Sequence, residues 1–194
     1  MGRLKTFDEE SVLQHIMRVF WQHGYAGTTF SRLEADTGLT GRSLINAFGE
    51  KDDLFLKSLE HYCAEASVWL TPLADDPTIA NIIAFFRDIA DAPSSDPRNF
   101  GCLMVNTVFE GAKIDPAAKN CQATFRNMIR ERFLTALVAA KLPGAEAKTD
   151  LLCATLWGMG AEIRSSGTVK SVASTVDEVA ALLENWQASS PAPA

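Results

Sequence analysis

Residues 28–55 read TTFSRLEADTGLTGRSLINAFGEKDDLF, and the fold turns on how that stretch is parsed. Two short apolar-periodic segments flank a glycine: Phe30 and Leu33 on one side, Leu44, Ile45 and Phe48 on the other, with Gly38-Leu39-Thr40 between them. Gly38 suits a tight turn because glycine takes positive φ without steric cost. Thr40 stands where an N-cap is needed, its hydroxyl able to accept from a backbone N–H of the next turn. The spacing predicts two helices of about two turns each, joined by a turn of about four residues, which is a helix-turn-helix. In such a unit the second helix enters the major groove and offers its N-terminal side chains to base edges. Gly41, Arg42, Ser43 and Asn46 are small or polar, while Leu44 and Phe48, one turn apart, can face a core. Arg reads guanine O6 and N7 in a bidentate manner, and Asn reads adenine or bonds to phosphate. Gly41, without a side chain, would let the backbone approach DNA closely. A surface helix with a solvated polar face accounts for these residues alone equally well.

Working outward, the pattern lengthens. Phe20 and Gly24-Tyr25 precede it, then come Thr28-Thr29, Leu33, Gly38-Leu39-Thr40, Ser43-Leu44, Phe48 and Lys51-Asp52-Asp53-Leu54-Phe55. From Asp8 to about Leu59 the chain resembles the DNA-binding domain of the TetR family of transcriptional regulators. The resemblance implies an all-α protein with an N-terminal three-helix helix-turn-helix domain and a helical ligand-binding and dimerisation domain. It implies a homodimer on a pseudo-palindromic double-stranded operator, read as a repressor, whose DNA binding answers to a small-molecule effector. The DNA face it implies draws on Thr28, Thr29, Ser31, Arg32, Thr40, Gly41, Arg42, Ser43, Ile45, Asn46 and Lys51. Two positions depart from the family pattern. Ile45 stands where a backbone-touching Tyr is usual, and Glu34 replaces a small residue, putting a carboxylate near the expected phosphate face.

The flanking segments are helical by period. Asp8 can cap a helix from about Glu9 to His23, with Glu9 and Glu10 favourable to its dipole and Val12, Ile16, Val19 and Phe20 as its apolar stripe. The next helix is expected to begin near Thr29 or Ser31, and Ser31-x-x-Glu34 is a candidate capping box that would give Glu34 a structural role. Lys51-Asp52-Asp53 opens a connecting helix that runs to about Leu70 and stops before Pro72. The expected organisation is a head over 1–50, a connector over 51–70, a body over 71–188 and a disordered tail over 189–194.

In the body, Ile79, Ile82, Ile83 and Phe86 mark a buried face, and APSSDPRN at 92–99 is a loop. Residues 101–110 are apolar on nearly every side except at Asn106, which either walls a ligand cavity or satisfies a neighbouring backbone group. Phe125, Ile129, Phe133 and Leu137 repeat every four residues in a helix over about 116–142. Aromatic and Met side chains suit pockets for varied apolar molecules. Trp69, Phe86, Cys102, Met104, Asn106, Phe109, Phe125, Trp157 and Met159 are therefore the expected lining, and an ordinary core would use them as readily. No Lys or Arg falls within 100–112, which disfavours a strongly anionic ligand. Helices over about 145–165 and 171–188 carry Leu152, Leu156, Gly160 and Ile163, then Val172, Val176, Val179, Leu183 and Trp186. That seam, with Gly158 and Gly160 permitting close approach, is the expected dimer interface.

Composition sets the remaining bounds. The 194 residues carry 47% hydrophobic content, as expected of a soluble globular chain. Without a long apolar run or leader before Asp8, a cytoplasmic protein off the membrane is expected. Residues 1–60 hold seven Lys/Arg against nine Asp/Glu, so any basic footprint must be local, on Arg3, Lys5, Arg32, Arg42 and Lys51. Cys63, Cys102, Cys121 and Cys153 show no paired metal spacing, so reduced thiols and no cofactor are expected; Cys102 leaves room for a thiol-reactive effector. No phosphate loop, metal cluster or Ser/His/Asp pattern supports an enzyme. The remaining alternative is a helical ligand-binding protein with a decayed DNA-reading head, which rests on Ile45, Glu34 and the acidic balance.

Overall fold

Helix α1 (Glu9–Gly27) starts where Asp8 accepts a hydrogen bond from Glu10 N, 3.3 Å away, and its dipole meets Glu9 and Glu10 in the first turn. Val12, Ile16, Val19 and Phe20 are buried, as their spacing predicts, and Met17 and Trp21 join them. Regular helical geometry stops at Gly24, whose φ of 71° and ψ of 174° turn the chain toward the next element. The computed structural model describes residues 7–110 and 115–189, so the expectations for Arg3, Lys5 and the tail beyond Ser189 lie outside it.

The head continues with α2 (Phe30–Thr37), α3 (Gly41–Phe48) and the N-terminal part of α4 (Lys51–Trp69). Leu33, Leu44, Phe48, Leu54 and Phe55 close on Phe20 beneath α1. The Phe20 and Phe55 ring centroids lie 5.1 Å apart. Fully burying each such side chain contributes about 1.5–3 kcal/mol, which holds together helices too short to persist alone. Gly38, at φ 70°, is the left-handed cap that ends α2.

The body comprises α5 (Thr71–Asp75), α6 (Ile79–Asp91), a 3-10 turn (Pro97–Phe100), α7 (Leu103–Phe109), α8 (Pro116–Ala139), α9 (Ala145–Ser166), a second 3-10 turn (Val169–Val172) and α10 (Ala173–Ala188). The described residues form helices and turns without a strand. Phe125, Ile129, Phe133 and Leu137 face inward, with α8 packed on α4 and α9. Arg130 on α8 pairs with Asp150 (3.0 Å) and Glu146 of α9.

The last helix departs from expectation. Val172, Val176, Val179 and Leu183 are buried inside this one chain, because α10 packs on α6. Leu152 and Ile163 of α9 are likewise covered. Most of the apolar seam that periodicity offers to a second copy is thus covered within the protomer, while Leu156 and Trp186 remain half-buried. Gly160 approaches Cys102 and Val105 of the same chain, where a Cβ would lie 3.1 Å from the Cys102 Cβ, while Gly158 meets nothing.

Candidate nucleic-acid interface and effector cavity

The reading helix is held at its start by two caps. Thr40 Oγ1 accepts from Ser43 N at 3.2 Å, and the Glu34 carboxylate of α2 accepts from Gly41 N at 2.5 Å. Glu34 is thus a brace across the turn between the two helices. The Ser31-x-x-Glu34 capping box does not form: Thr29 is the cap of α2, accepting from Arg32 N at 3.3 Å. Arg42 and Asn46, one turn apart, are exposed, while Leu44 and Phe48 are buried. Ser43 and Ile45 are half-buried, and Thr29, Ser31, Arg32 and Thr40 are exposed.

Two expected DNA-facing residues are not available to solvent. Thr28 is fully buried and its hydroxyl donates to Gly24 O (2.7 Å), closing the end of α1. Gly41 is buried against Phe30 and Glu34, where a Cβ would come within 3.1 Å of the Glu34 carboxylate. Its small size serves packing between α2 and α3. Lys51 lies over the Tyr25 ring at 4.5 Å, and the Tyr25 hydroxyl donates to Asp52, which with burial pushes the phenol up to about 12.

The head is tied to the body through the C-terminal end of α1. Glu110, following α7, accepts from Tyr25 N (3.0 Å) and Ala26 N (3.4 Å). Gly24 makes room for this, since a Cβ there would lie 2.0 Å from the Glu110 carboxylate. Arg164 of α9 donates to the Trp21 and Gln22 carbonyls at 3.1 and 3.0 Å. Trp21 Nε1 donates to Gly101 O at 2.8 Å. Burial lowers the His23 imidazole below its ordinary value, and Arg32 and Arg164 lower it further.

Beside α4 the body forms a partly open cavity of about 80 Å³. Of the expected lining, Trp69, Cys102, Phe125, Trp157 and Met159 come together around it. Phe86 is packed on Phe133 instead, Met104 is fully buried away from the cavity, and Phe109 is 74% exposed at the end of α7. Asn106 also points elsewhere: its Nδ2 donates to Phe100 O at 2.9 Å, the backbone role of the two considered, although its buried Oδ1 meets no protein donor. Tyr62, Phe85, Val105 and Ile129 complete the wall, as do Leu156, Gly160 and Ile163, which the sequence pattern assigned to a dimer seam. The spacing of Tyr62, Ala66 and Trp69 on α4 was the available signal, since i, i+4 and i+7 share one face.

The cavity's charged groups are already committed. Arg98 donates to Asp88 (2.6 Å) and to both oxygens of Asp96 (3.1 and 2.9 Å), and sits over the Trp69 ring. Burial works to raise the Asp96 carboxyl, but the Arg98 hydrogen bonds and charge outweigh it and hold the group below its ordinary value. Tyr62 donates to Cys102 Sγ at 3.4 Å, and both groups are pushed up by burial. The remaining wall is apolar.

An all-helical body carrying a capped helix-turn-helix head defines a helix-turn-helix protein of the DNA-binding type. Residues 12–57, the head of the chain, match the sequence model of the family described as bacterial regulatory proteins, tetR family. It is 27% identical over 146 residues, 74% of this chain and 75% of the relative, to the uncharacterized HTH-type transcriptional regulator YezE of Bacillus subtilis (strain 168). It is 32% identical over 111 residues to the HTH-type transcriptional repressor ComR of Escherichia coli (strain K12), covering 54% of this chain and 51% of that one. The fold matches that of a TetR-family regulator from Agrobacterium tumefaciens at a TM-score of 0.78 and 16% identity, over 91% of this chain and 95% of that one. It also matches CifR, a TetR-family regulator solved as a cysteine mutant with operator DNA, at 0.75 and 23% identity, over 98% of this chain and 100% of that one. Among the described residues no helix is long and apolar enough to cross a membrane.

Proposed function

We propose that the chain is a cytoplasmic, homodimeric repressor of transcription that binds a pseudo-palindromic operator and whose grip on DNA is set by a small, largely apolar effector in the body cavity. One observation carries this reading: α4 belongs to both sites. Its N-terminus places Lys51 against Tyr25 beside the reading helix, and its C-terminal half supplies Tyr62, Ala66 and Trp69 to the cavity wall. A molecule that displaces this wall moves the helix on which the head rests.

The neutralised Arg98 favours a neutral or weakly polar effector. With about 80 Å³ free, against roughly 300–1,000 Å³ for sites that take drug-sized ligands, a larger effector seats only by moving Trp69 or Trp157. The decayed-head alternative loses one of its supports, because the Glu34 carboxylate is committed to Gly41 N. Since the α10 seam is used within the protomer, the dimer face is better sought on the outward row of α9, where Ala147, Leu151, Ala154 and Gly158 are exposed.

Selection of bound sequences from a random duplex pool tests the reading, followed by titration of neutral aromatic and fatty compounds into the protein–DNA complex while Trp fluorescence is recorded. The reading predicts a two-fold symmetric enriched site and a fluorescence change that tracks altered DNA affinity. No enriched site, or a response confined to charged metabolites, overturns it.

A further inference from the structure

Four cysteines lie among the described residues, and two of them face each other across a helix interface. Cys63 on α4 and Cys121 on α8 have their Sγ atoms 3.5 Å apart, and both residues are only partly buried. Cys102 is instead engaged by Tyr62, and Cys153 is buried on α9. A disulfide requires an S–S separation of about 2.05 Å, so the two sulfurs must close by about 1.5 Å, which small side-chain rotations on helices already packed together can supply.

We propose that Cys63 and Cys121 form a redox-active dithiol, a modification site that hydroperoxides close into an intramolecular disulfide joining α4 to α8. The hydrogen bond between the thiols lowers the pKa of Cys121 and, together with burial, raises that of Cys63, which makes Cys121 the attacking thiolate. Its sulfur attacks the peroxide O–O bond, taking one oxygen to become a sulfenic acid and releasing water or an alcohol. The Cys63 thiol then displaces water from that sulfur. Two thiols and one hydrogen peroxide give one disulfide and two waters. A small dithiol reverses the step by thiol–disulfide exchange. The bond forms beside the cavity, where α4 contributes Tyr62 and Ala66 and α8 contributes Phe125 and Ile129, and it removes the freedom of α4 to slide on α8.

The full-length protein is treated with hydrogen peroxide, denatured, alkylated and mapped by mass spectrometry. The expected result is protection of two of the four thiols, recovery of a Cys63–Cys121 linked peptide within one chain, and its loss on adding dithiothreitol. Cys63→Ser and Cys121→Ser each abolish the link, while Cys102→Ser and Cys153→Ser leave it. In Cys63→Ser the Cys121 sulfenic acid persists and is trapped by dimedone. Four free thiols after treatment, a link through Cys102 or Cys153, or a link only between chains overturns the proposal. The disulfide is read by mass rather than by DNA binding, so its failure and the failure of the regulator reading are separate results.

Discussion

Arg42 is exposed on the first turn of α3 with Asn46 one turn beyond, so its guanidinium is free to reach a guanine edge. Arg42→Ala is expected to cost about 1–3 kcal/mol of DNA binding and to relax base preference at one position. Lys51→Ala should instead weaken all sequences alike and flatten the salt slope by about one unit; anisotropy titrations across salt concentrations on selected and scrambled duplexes distinguish the two. Glu34 carries the opposite expectation from the one its charge invites. Because its carboxylate caps Gly41 N, Glu34→Ala should lower unfolding stability by about 0.5–2 kcal/mol in a denaturant titration rather than tighten DNA binding. His23 adds a pH dependence. Its folded-state pKa lies below the unfolded value of about 6.5, so the unfolded chain binds the proton more readily. The contribution is present above about pH 6.5 and is lost as pH falls through that value and past the lowered one. Thermal midpoints should therefore fall between about pH 7.5 and 5, and less so in His23→Gln.

At the scale of elements, α10 is the sharpest case. Its apolar positions alternate four and three, a pattern that reads as a helix–helix seam but is silent on which helix fills it. The partner is α6 of the same chain, and Leu183 is fully buried there. Leu183→Glu would put an unpaired carboxylate into the core, so the expected outcome is loss of more than about 4 kcal/mol, or no folded protein, in circular-dichroism melts. Soluble, cooperatively melting monomers would contradict this. Caps and stripes were legible from local sequence: Asp8, Thr40, the α1 stripe and the α8 stripe stand where spacing put them, because a cap or a face is set within one or two turns. The Ser31 capping box failed because Thr29, two residues earlier, took the cap and left Glu34 to reach α3.

For the whole molecule, the proposed two-fold assembly rests on the outward row of α9. Leu151 is 48% exposed there, so Leu151→Arg should leave the melting curve nearly unchanged while shifting sedimentation from dimer toward monomer. An unchanged dimer would move the interface elsewhere. The sequence alone determined that the protein is all-helical, that 28–55 folds as a capped helix-turn-helix, and which face of each long helix is apolar, since these follow from period and capping within a few residues. Only the tertiary structure decided which apolar face meets which. It drew Leu156, Gly160 and Ile163 to the cavity and turned Phe86, Met104 and Phe109 away from it. It enclosed Thr28 and Gly41 in the head and set Cys63 opposite Cys121, 58 residues away in the chain. Hydrophobic burial is non-directional, so an apolar stripe specifies that it must be covered, and the packing of all the helices together specifies by what.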